Sequence, residues 1–487
     1  ALLIPAELFK GAYRRMGLDN KNLSRTVEDA GTVIEPLIPW TAAGIYMATT
    51  LGVSTLDLLP WAIQCYAAVV FALIYGFTGF GIAKLQPQTT CSVRKPDMTS
   101  HFNAIIDRHN TGSVKWDFID RYLQLDGSEL LPMWVSDFDF PCPPEVQQAL
   151  HQRVDHGVFG YSERDDAYYQ AAIDWFAKRH GLPLRREWFT SIEGVVPGLA
   201  MLIQLLSKPG DGVVVQGPYY GSFAKIVTMN GREVIENPLR ETPQGYRIDF
   251  DQLAACLAQR KPPLLLLCNP HNPTGRCWRR DELERLMALC HAHDVTVISD
   301  EIWADLLLPG ETFTSVLHLG EEYRDRVIVA TSASKTFGLS SLRISNFLIP
   351  NARLRQAFVD RLNAHGLDVF NALSMTAATA AYQRGAAWLD ELLDYLAENR
   401  RWFKQTLADA APWCTMTQAE GTYLAWLDCR SLGLNDADLQ QALVAVAKLA
   451  PSMGSGFGPQ GRGFIRINLG CPRRYLERAV EGLARLK

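Results

Sequence analysis

The chain has 487 residues, a net charge of -4 at pH 7 and a pI near 6.2. This length corresponds to about three domains of ordinary size. The charge balance provides no basic surface of the kind that nucleic acids require, which argues against a nucleic-acid partner. The ten cysteines are scattered, without a C-x-x-C pair or a cluster with histidine, so we expect reduced thiols in a cytosolic compartment and no metal site.

The first hundred residues differ from the rest in composition. Residues 58–83 carry no charged side chain, a run longer than the roughly 20 residues that a helix needs to cross a bilayer. Residues 32–53 form a second, broken apolar stretch. Basic residues flank this pair, and the short link 54–57 has none, so both ends are expected to face the cytoplasm. The sequence predicts one or two membrane-spanning helices within residues 33–83, and its charged start is not typical of a signal peptide.

Residues 21–53, KNLSRTVEDAGTVIEPLIPWTAAGIYMATTLGV, resemble the C-terminal part of NhaC-type sodium/proton antiporters, and the resemblance extends to about residue 83. It covers only a fragment of such a transporter. Transport needs ionisable groups at a site between several helices, and Glu35 alone cannot supply one. We interpret residues 1–84 as an antiporter-like fragment that anchors the chain in the plasma membrane. A linker at 85–97 then leads to a cytoplasmic enzyme that begins near Met98, an arrangement typical of a gene fusion.

Beyond Met98, apolar runs of strand length alternate with helical patterns, which indicates a parallel sheet covered by helices. A long amphipathic helix is predicted at 388–407, followed by a smaller α+β domain. Ligands bind at the carboxyl ends of the strands in open α/β sheets, so we expect the site in a cleft there. Four runs are predicted as strands: GVVVQGP (212–218), PLLLLCNP (263–270), VTVISDE (295–301) and RVIVATS (326–332).

Lys335 follows the last of these strands in the sequence SASK. On its own this pattern says little, because a serine nucleophile with a lysine base shares it and a surface lysine after a strand is common. The other polar residues that follow or end the predicted strands are more informative. Asp300 ends another strand, Asn272 follows a third, and Arg343 lies eight residues beyond the lysine. An aldehyde cofactor with a pyridine nitrogen, a phenolic oxygen and a phosphate requires this combination of groups.

Eight segments resemble the class I/II aminotransferase superfamily and, within it, most closely the MalY/PatB-type cystathionine β-lyases. The resemblance covers about residues 98–487. It implies the aspartate-aminotransferase-like α/β fold (PLP fold type I), with pyridoxal 5'-phosphate (PLP) as cofactor. A seven-stranded, mainly parallel sheet is expected in a large domain (146–385), with a small domain built from 98–145 and 386–487. The segments are LPMWVSDFDF, FGYSE, GVVPGL, CNPHNPTGR, SDEIWADL, SASKTFGLSSLR, EGTYLAWLD and GFIRINLGCPR.

The resemblance also implies roles for individual residues. Lys335 forms the Schiff base and then takes the Cα proton of the substrate, for which its pKa must fall below the ordinary value of about 10.4. Asp300 pairs with the pyridinium nitrogen, Asn272 donates to the phenolic oxygen, and Tyr220 stacks on the ring. The phosphate is assigned to backbone N–H groups and polar side chains of six residues. These are Gly194, Val195, Val196, Ser332, Ser334 and Arg343.

The remaining implied roles concern the substrate and a second subunit. Arg466 binds the substrate α-carboxylate together with Asn272. Tyr161 resembles a tyrosine that reaches the phosphate of the neighbouring subunit, which implies a homodimer. Two residues depart from the family pattern. Trp303 stands where a tyrosine or histidine is common, and its indole N–H donates but cannot titrate. Many lyases of this subgroup lack an arginine at the position of Arg343, so its presence in this chain favours transamination.

The leading functional hypothesis is β-elimination from cystathionine or another cysteine thioether, giving a thiol, pyruvate and ammonia. An aminotransferase would use the same residues and differ only in later steps, so the sequence leaves this alternative open. A third interpretation is a membrane transport-associated protein whose C-terminal part is a noncatalytic regulatory module. The intact set of site residues argues against that interpretation.

Overall fold

The computed structural model describes residues 42–52, 54–58, 99–126, 129–367 and 370–486. The chain divides into two units, residues 1–96 and 97–487. In the first, the described residues form two short helices, α1 (Ala42–Leu51) and α2 (Thr55–Leu58). Most of the predicted membrane segment, including residues 59–83, lies outside the described residues, so the spanning helices stay a prediction. Within the described ranges, no helix combines the length and apolar character that crossing a bilayer requires.

The second unit begins with a segment of short helices, residues 99–126, which we call the N-terminal arm. Its helices are α3 (Thr99–Phe102), α4 (Val114–Asp117) and α5 (Ile119–Leu123). Lys115 on α4 is buried and forms an ion pair with Asp139. The arm is therefore fastened to the body of the unit by charge as well as by apolar contacts.

The strands of the second unit start with β1 (Leu131–Pro132). The later strands follow in chain order. They are β2 (Phe189–Ser191), β3 (Gly212–Val215), β4 (Glu233–Glu236), β5 (Arg240–Thr242), β6 (Gly245–Arg247), β7 (Leu264–Cys268), β8 (Thr296–Asp300), β9 (Val327–Thr331), β10 (Asn346–Leu348), β11 (Thr415–Met416), β12 (Leu424–Asp428), β13 (Leu449–Ala450), β14 (Ser452–Met453) and β15 (Phe464–Asn468).

The helices after the N-terminal arm alternate with most of these strands, as the sequence predicts. In chain order they are α6 (Pro144–His156), α7 (Asp166–His180), α8 (Val195–Leu206), α9 (Gly221–Met229), α10 (Phe250–Arg260), α11 (Arg280–Ala292), α12 (Ala333–Phe337), α13 (Ala352–Ala364), α14 (Ala372–Arg384), α15 (Ala386–Ala410), α16 (Asp436–Ala445) and α17 (Arg473–Ala484). The long helix predicted at 388–407 is confirmed as α15.

Seven strands form the main sheet, in the order β2-β10-β9-β8-β7-β3-β4. Neighbours from β9 to β4 run parallel, whereas β10 is antiparallel to both of its neighbours. The four strands predicted from the sequence are β3, β7, β8 and β9, and they lie side by side in the middle of the sheet. The expected mainly parallel sheet is therefore confirmed, with one antiparallel strand that makes it mixed.

Helices cover both faces of the main sheet. Successive residues of a strand point to opposite faces, and along β3 Val214 packs in one core cluster while Val213 and Val215 pack in another. The first cluster includes side chains of α7, α10, α11 and α14, and the second includes side chains of α8, α9 and α13. Burial on both faces explains why the central strands are nearly continuous apolar runs.

A smaller antiparallel sheet has the order β11-β12-β15-β14. It packs in a cluster of its own against α15 and α17, where Phe403 and Leu476 are fully buried. All five residues of its interior strand β15 are buried, including Arg466. The smaller sheet thus places a buried cation near the carboxyl ends of the main sheet, as the contact between Arg466 and Asn272 shows.

Candidate active site

A cavity of about 280 Å³ opens where the central strands of the main sheet end. Its wall includes the residue that follows or ends each of three neighbouring strands: Cys268 ends β7, Asp300 ends β8, and Ser332 follows β9. Eleven of the residues predicted for the site line it. These are Gly194, Val195, Val196, Tyr220, Asn272, Asp300, Trp303, Ser332, Ser334, Lys335 and Arg343.

Lys335 lies on the short helix α12, directly after β9, and points into the cavity. Its Nζ donates to the carbonyl oxygen of Ser136 at 2.7 Å and lies 5.7 Å from the ring centroid of Trp303. Burial lowers the pKa of Lys335 to about 8, although the negative charge of Asp137 opposes this shift. The neutral amine, which is the form that can act as nucleophile and base, is therefore accessible near neutral pH.

A buried carboxylate, Asp305, forms a hydrogen bond with the helix that carries Lys335. Asp305 accepts hydrogen bonds from Thr336 Oγ1 at 2.7 Å, from His180 Nε2 at 2.7 Å and from Trp175 Nε1 at 2.9 Å. Burial opposes ionisation of Asp305, but the hydrogen bond and charge of His180, together with the hydrogen bonds from Thr336 and Trp175, outweigh it and hold the pKa of Asp305 below its usual value. Because Thr336 is the next residue after Lys335, this network fixes the backbone from which the lysine extends.

Asp300 faces the same cavity from the end of β8. It is 4% exposed, and burial raises its pKa to about 7. The backbone N–H of Ile302 donates to its Oδ1 at 3.3 Å, and the charge of Lys335 also opposes the shift. A carboxyl group in this position gains stability from a cationic partner in the cavity, because an unpaired buried charge is costly.

Arg466 contacts Asn272 and is nearly as buried as Asp300, at 5% exposed. Its Nη1 donates to Asn272 Oδ1 at 2.9 Å, and its Nη2 donates to Trp134 O at 2.6 Å and to Ser452 Oγ at 3.2 Å. Its Nε has no hydrogen-bond partner, and burial lowers the pKa of the guanidinium to about 10. A buried guanidinium with an unsatisfied N–H is the arrangement that a carboxylate would complete.

The opposite end of the cavity is built from a helix N-terminus and a cluster of donors. Gly194, at a φ of 95°, precedes the first turn of α8, and a Cβ there would lie 3.3 Å from Arg343 Nη2. Ser332 caps α12, with its Oγ accepting from the N–H of Ser334 at 3.0 Å. Ser332 Oγ also donates to the carbonyl oxygen of Ile344. The other donors at this end of the cavity are the N–H groups that open α8, the hydroxyl of Ser334 and the guanidinium of Arg343, a set that suits an anion.

The aminotransferase class I and II family model matches residues 128–483. The chain belongs to this family. Cystathionine beta-lyase PatB of Bacillus subtilis (strain 168) is 40% identical over 387 residues, which are 80% of this chain and 99% of that protein. Cystalysin from Treponema denticola, in a crystal structure that contains pyridoxal 5'-phosphate, is similar with a TM-score of 0.76 and 32% identity, covering 79% of this chain and 98% of the other. The resemblance inferred from the eight sequence segments is confirmed.

The N-terminal segment has a separate relationship. The Na+/H+ antiporter family model matches residues 1–80. An uncharacterized Na(+)/H(+) antiporter of Haemophilus influenzae is 62% identical over 86 residues, which are 18% of this chain and 18% of that protein. The resemblance of this segment to antiporters is confirmed as a match to a small part of such a protein.

Two predicted site residues do not line the cavity of their own chain. They are Arg466, which contacts the wall through its hydrogen bond to Asn272, and Tyr161. Tyr161 is 98% exposed, in a segment whose next residue, Ser162, forms an isolated β-bridge with Phe370. The role predicted for Tyr161 requires a second subunit, so it stays a prediction for this aminotransferase-family chain.

The sequence did not reveal the groups that hold the reactive side chains in place. The carbonyls of Trp134 and Ser136 accept from Arg466 and Lys335, and the hydroxyl of Tyr423 also donates to Ser136 O, at 3.1 Å. These residues lie in segments that carry the family resemblance. Backbone carbonyls leave no mark in side-chain identity, however, so the available signal was the motif around Ser136 as a whole.

Proposed function

We propose that the chain is a PLP-dependent carbon–sulfur β-lyase that cleaves cystathionine or a related cysteine S-conjugate to a thiol, pyruvate and ammonia. The observation that carries this proposal is the juxtaposition, in one buried site, of an amine whose pKa is about 8 and a guanidinium with a free N–H. The match to a lyase along 99% of that protein's length supports the choice of reaction.

The residues around the cavity fit the cofactor. Lys335 would hold its aldehyde carbon, Asp300 its pyridine nitrogen, and Asn272 its phenolic oxygen, with Tyr220 against the ring. The phosphate would bind the N–H groups that follow Gly194, together with Ser332, Ser334 and Arg343. Asp300 supports this fit most directly, because a buried carboxyl group with a raised pKa lacks the cationic partner that a protonated pyridine supplies.

Bound PLP supplies an electron-withdrawing ring that accepts the electrons released when bonds at the substrate Cα are broken. The chain's own residues perform the other tasks. Nζ of Lys335, once free, takes the proton from Cα, and the low pKa of this amine keeps it ready to do so near neutral pH. Asp300 keeps the ring nitrogen protonated through its negative charge. Arg466 holds the substrate α-carboxylate and so aims the Cα–H bond at the lysine.

The two residues that depart from the family pattern, Trp303 and Arg343, both bear on this proposal. Trp303 is 2% exposed and presents its ring to Lys335, so it shields the amine from water without titrating. Arg343 lines the cavity, which favours the second candidate function, an aminotransferase, because many lyases of this subgroup lack that arginine. The two functions differ in the fate of the substrate nitrogen.

A homodimer forms part of the proposal. Tyr161 would reach the phosphate in the neighbouring subunit, for which its nearly complete exposure leaves it free. Val158 and Phe159 are exposed beside it, at 63% and 56%, and such an apolar patch favours coverage by another protein surface. Residues 146–385 would form the large domain, and 98–145 with 386–487 the small one, with the cytoplasmic side predicted for both.

Turnover of cystathionine by the full chain tests the proposed function. With PLP present and no keto acid added, we expect pyruvate and thiol to appear together and in equal amounts. Activity that appears only after a keto acid is supplied would establish the aminotransferase instead. A chain that binds PLP but consumes no amino acid in either assay would favour the regulatory interpretation.

Gly194→Ala should weaken cofactor binding. A side chain at a φ of 95° is strained by about 1–3 kcal/mol, and the added Cβ crowds the guanidinium of Arg343. We expect PLP to bind the apoenzyme roughly tenfold more weakly or worse. Gly210→Ala is the matched control, because Gly210 has a φ of 88° with no atom near its Cβ position. Equal PLP affinity in the two variants would contradict the assignment of the phosphate to this turn.

A further inference from the structure

Consecutive backbone carbonyls from Trp134 to Phe138 are all held by side-chain donors, and we call residues 134–139 the acceptor segment. Asn468 Nδ2 donates to the carbonyls of residues 135 and 137, at 2.7 Å each. Lys335 Nζ donates to the carbonyl of Ser136 between them. The reactive amine is thus docked on a backbone position that is itself fixed from both sides.

The acceptor segment carries two carboxylates, and the N-terminal arm supplies their partners. Arg108 Nη2 lies 2.7 Å from Asp137 Oδ2, and its Nη1 lies 2.9 Å from Asp139 Oδ1 and 2.7 Å from the carbonyl oxygen of Phe138. Asp139 is further neutralised by Lys115, which is fully buried. Asp137 is therefore paired with Arg108, and its negative charge also acts on Lys335, whose Nζ contacts the neighbouring carbonyl of Ser136.

We propose that Arg108 and Asp137 form an electrostatic pair that controls the charge state of Lys335, with the carbonyl of Ser136 as the dock of its ammonium form. This inference deepens the proposed function and rests on Lys335 as the reacting amine. Asp137 attracts the protonated lysine, and Arg108 partly cancels that attraction. Both are positioning residues, because they act through Lys335 and not on the substrate.

The other charged groups that face Lys335 are fixed by separate contacts. Asp300 at the end of β8 favours the ammonium form, and Arg466 on β15 disfavours it. Burial exerts the largest effect and favours the neutral amine, whereas Asp137 is the strongest single charge opposing it. The carboxylate of Asp137 is therefore the largest charged influence on the amine, and Arg108 of the N-terminal arm forms an ion pair with that carboxylate.

The pair makes opposite predictions for two substitutions. Asp137→Asn removes the attraction and should lower the pKa of Lys335 below about 8. Arg108→Gln leaves Asp137 without its counter-charge and should raise the pKa of Lys335. Arg108→Lys restores a positive charge and should return the pKa toward the wild-type value. We expect each shift in the pKa of Lys335 to be about half a pH unit or more. Larger shifts are not required, because the side chains of Arg108 and Asp137 are partly exposed and water weakens their charges.

The test uses the full-length apoenzyme and needs no substrate. Acetic anhydride acylates neutral amines, so the rate at which it labels Lys335, followed by peptide mass spectrometry across pH, gives the midpoint of the lysine titration. The exposed Lys208 in the same samples is the internal reference. We expect the midpoint to fall in Asp137→Asn and to rise in Arg108→Gln. Midpoints that move in the same direction, or not at all, would overturn the proposal.

A double variant keeps the test decisive where a single variant does not fold. Arg108→Gln/Asp137→Asn preserves the pairing geometry with two amides and removes both charges. The midpoint of Lys335 in the double variant is expected below that of Arg108→Gln and above that of Asp137→Asn, so whichever single variant folds provides the comparison. A midpoint outside these bounds would overturn the proposal. Because this readout concerns the apoenzyme lysine, opposite shifts combined with no lyase turnover would reject the proposed function alone. Normal turnover combined with unmoved midpoints would reject this inference alone.

Discussion

Lys335→Ala is expected to reduce cystathionine turnover by roughly 10³-fold or more, because the substitution removes the general base. It also removes the nucleophile that binds the cofactor aldehyde. The same variant should lose the visible absorbance of the lysine-bound cofactor while keeping PLP bound through its phosphate and ring contacts. Steady-state kinetics and an absorption spectrum after desalting measure the two effects.

Lys208→Ala is the control for this substitution, since Lys208 is exposed and lies away from the cavity. A small primary amine added to Lys335→Ala should restore part of the turnover, because it can take the Cα proton in place of the missing side chain. Lys335→Ala with wild-type turnover would contradict the assignment of the base.

Arg466→Lys is expected to lower kcat/KM for cystathionine by roughly 10²-fold, with most of the change in KM. A lysine keeps the positive charge but loses the planar fork that binds a carboxylate through two N–H groups, and each charge-assisted hydrogen bond contributes about 1.5–3 kcal/mol. The Nε of Arg466 has no hydrogen-bond partner, and its Nη1 contacts Asn272 in the cavity wall, so a guanidinium with an unsatisfied N–H lies next to the cavity.

Arg462→Lys provides the matched control on the same part of the chain, because Arg462 is exposed just before β15. Melting temperatures of both variants should stay close to that of the wild type, which separates binding from folding. If kcat falls in Arg466→Lys while KM is unchanged, the guanidinium does not hold the substrate carboxylate.

The centre of the main sheet was predictable because its strands are buried on both faces. Strand β7 consists of five buried apolar residues, β9 is buried throughout and apolar except for its last residue, and four of the five residues of β8 are buried. The short strands β2 and β10 escaped the prediction, since three residues each give no usable periodicity. Their place beside β9 follows from tertiary packing alone.

The site was predictable to the extent that its chemistry depends on side-chain identity. Lys335, Asp300 and Asn272 each follow or end a predicted strand, and the parallel sheet brings those ends together. The supporting contacts were not predictable, because they join residues distant in sequence. Arg108 meets Asp137 across 29 positions, and Thr336 meets Asp305 across 31. No local pattern marks such pairs.

The destination of the substrate nitrogen tests the central claim most directly. Ammonia is counted per active site while the full-length holoenzyme consumes cystathionine without any keto acid. A β-lyase releases the nitrogen in every turnover, so ammonia should accumulate in equal amount with pyruvate and far exceed the number of active sites. Nitrogen that stays on the enzyme, with consumption stopping after one substrate per site, would contradict the lyase and establish transamination.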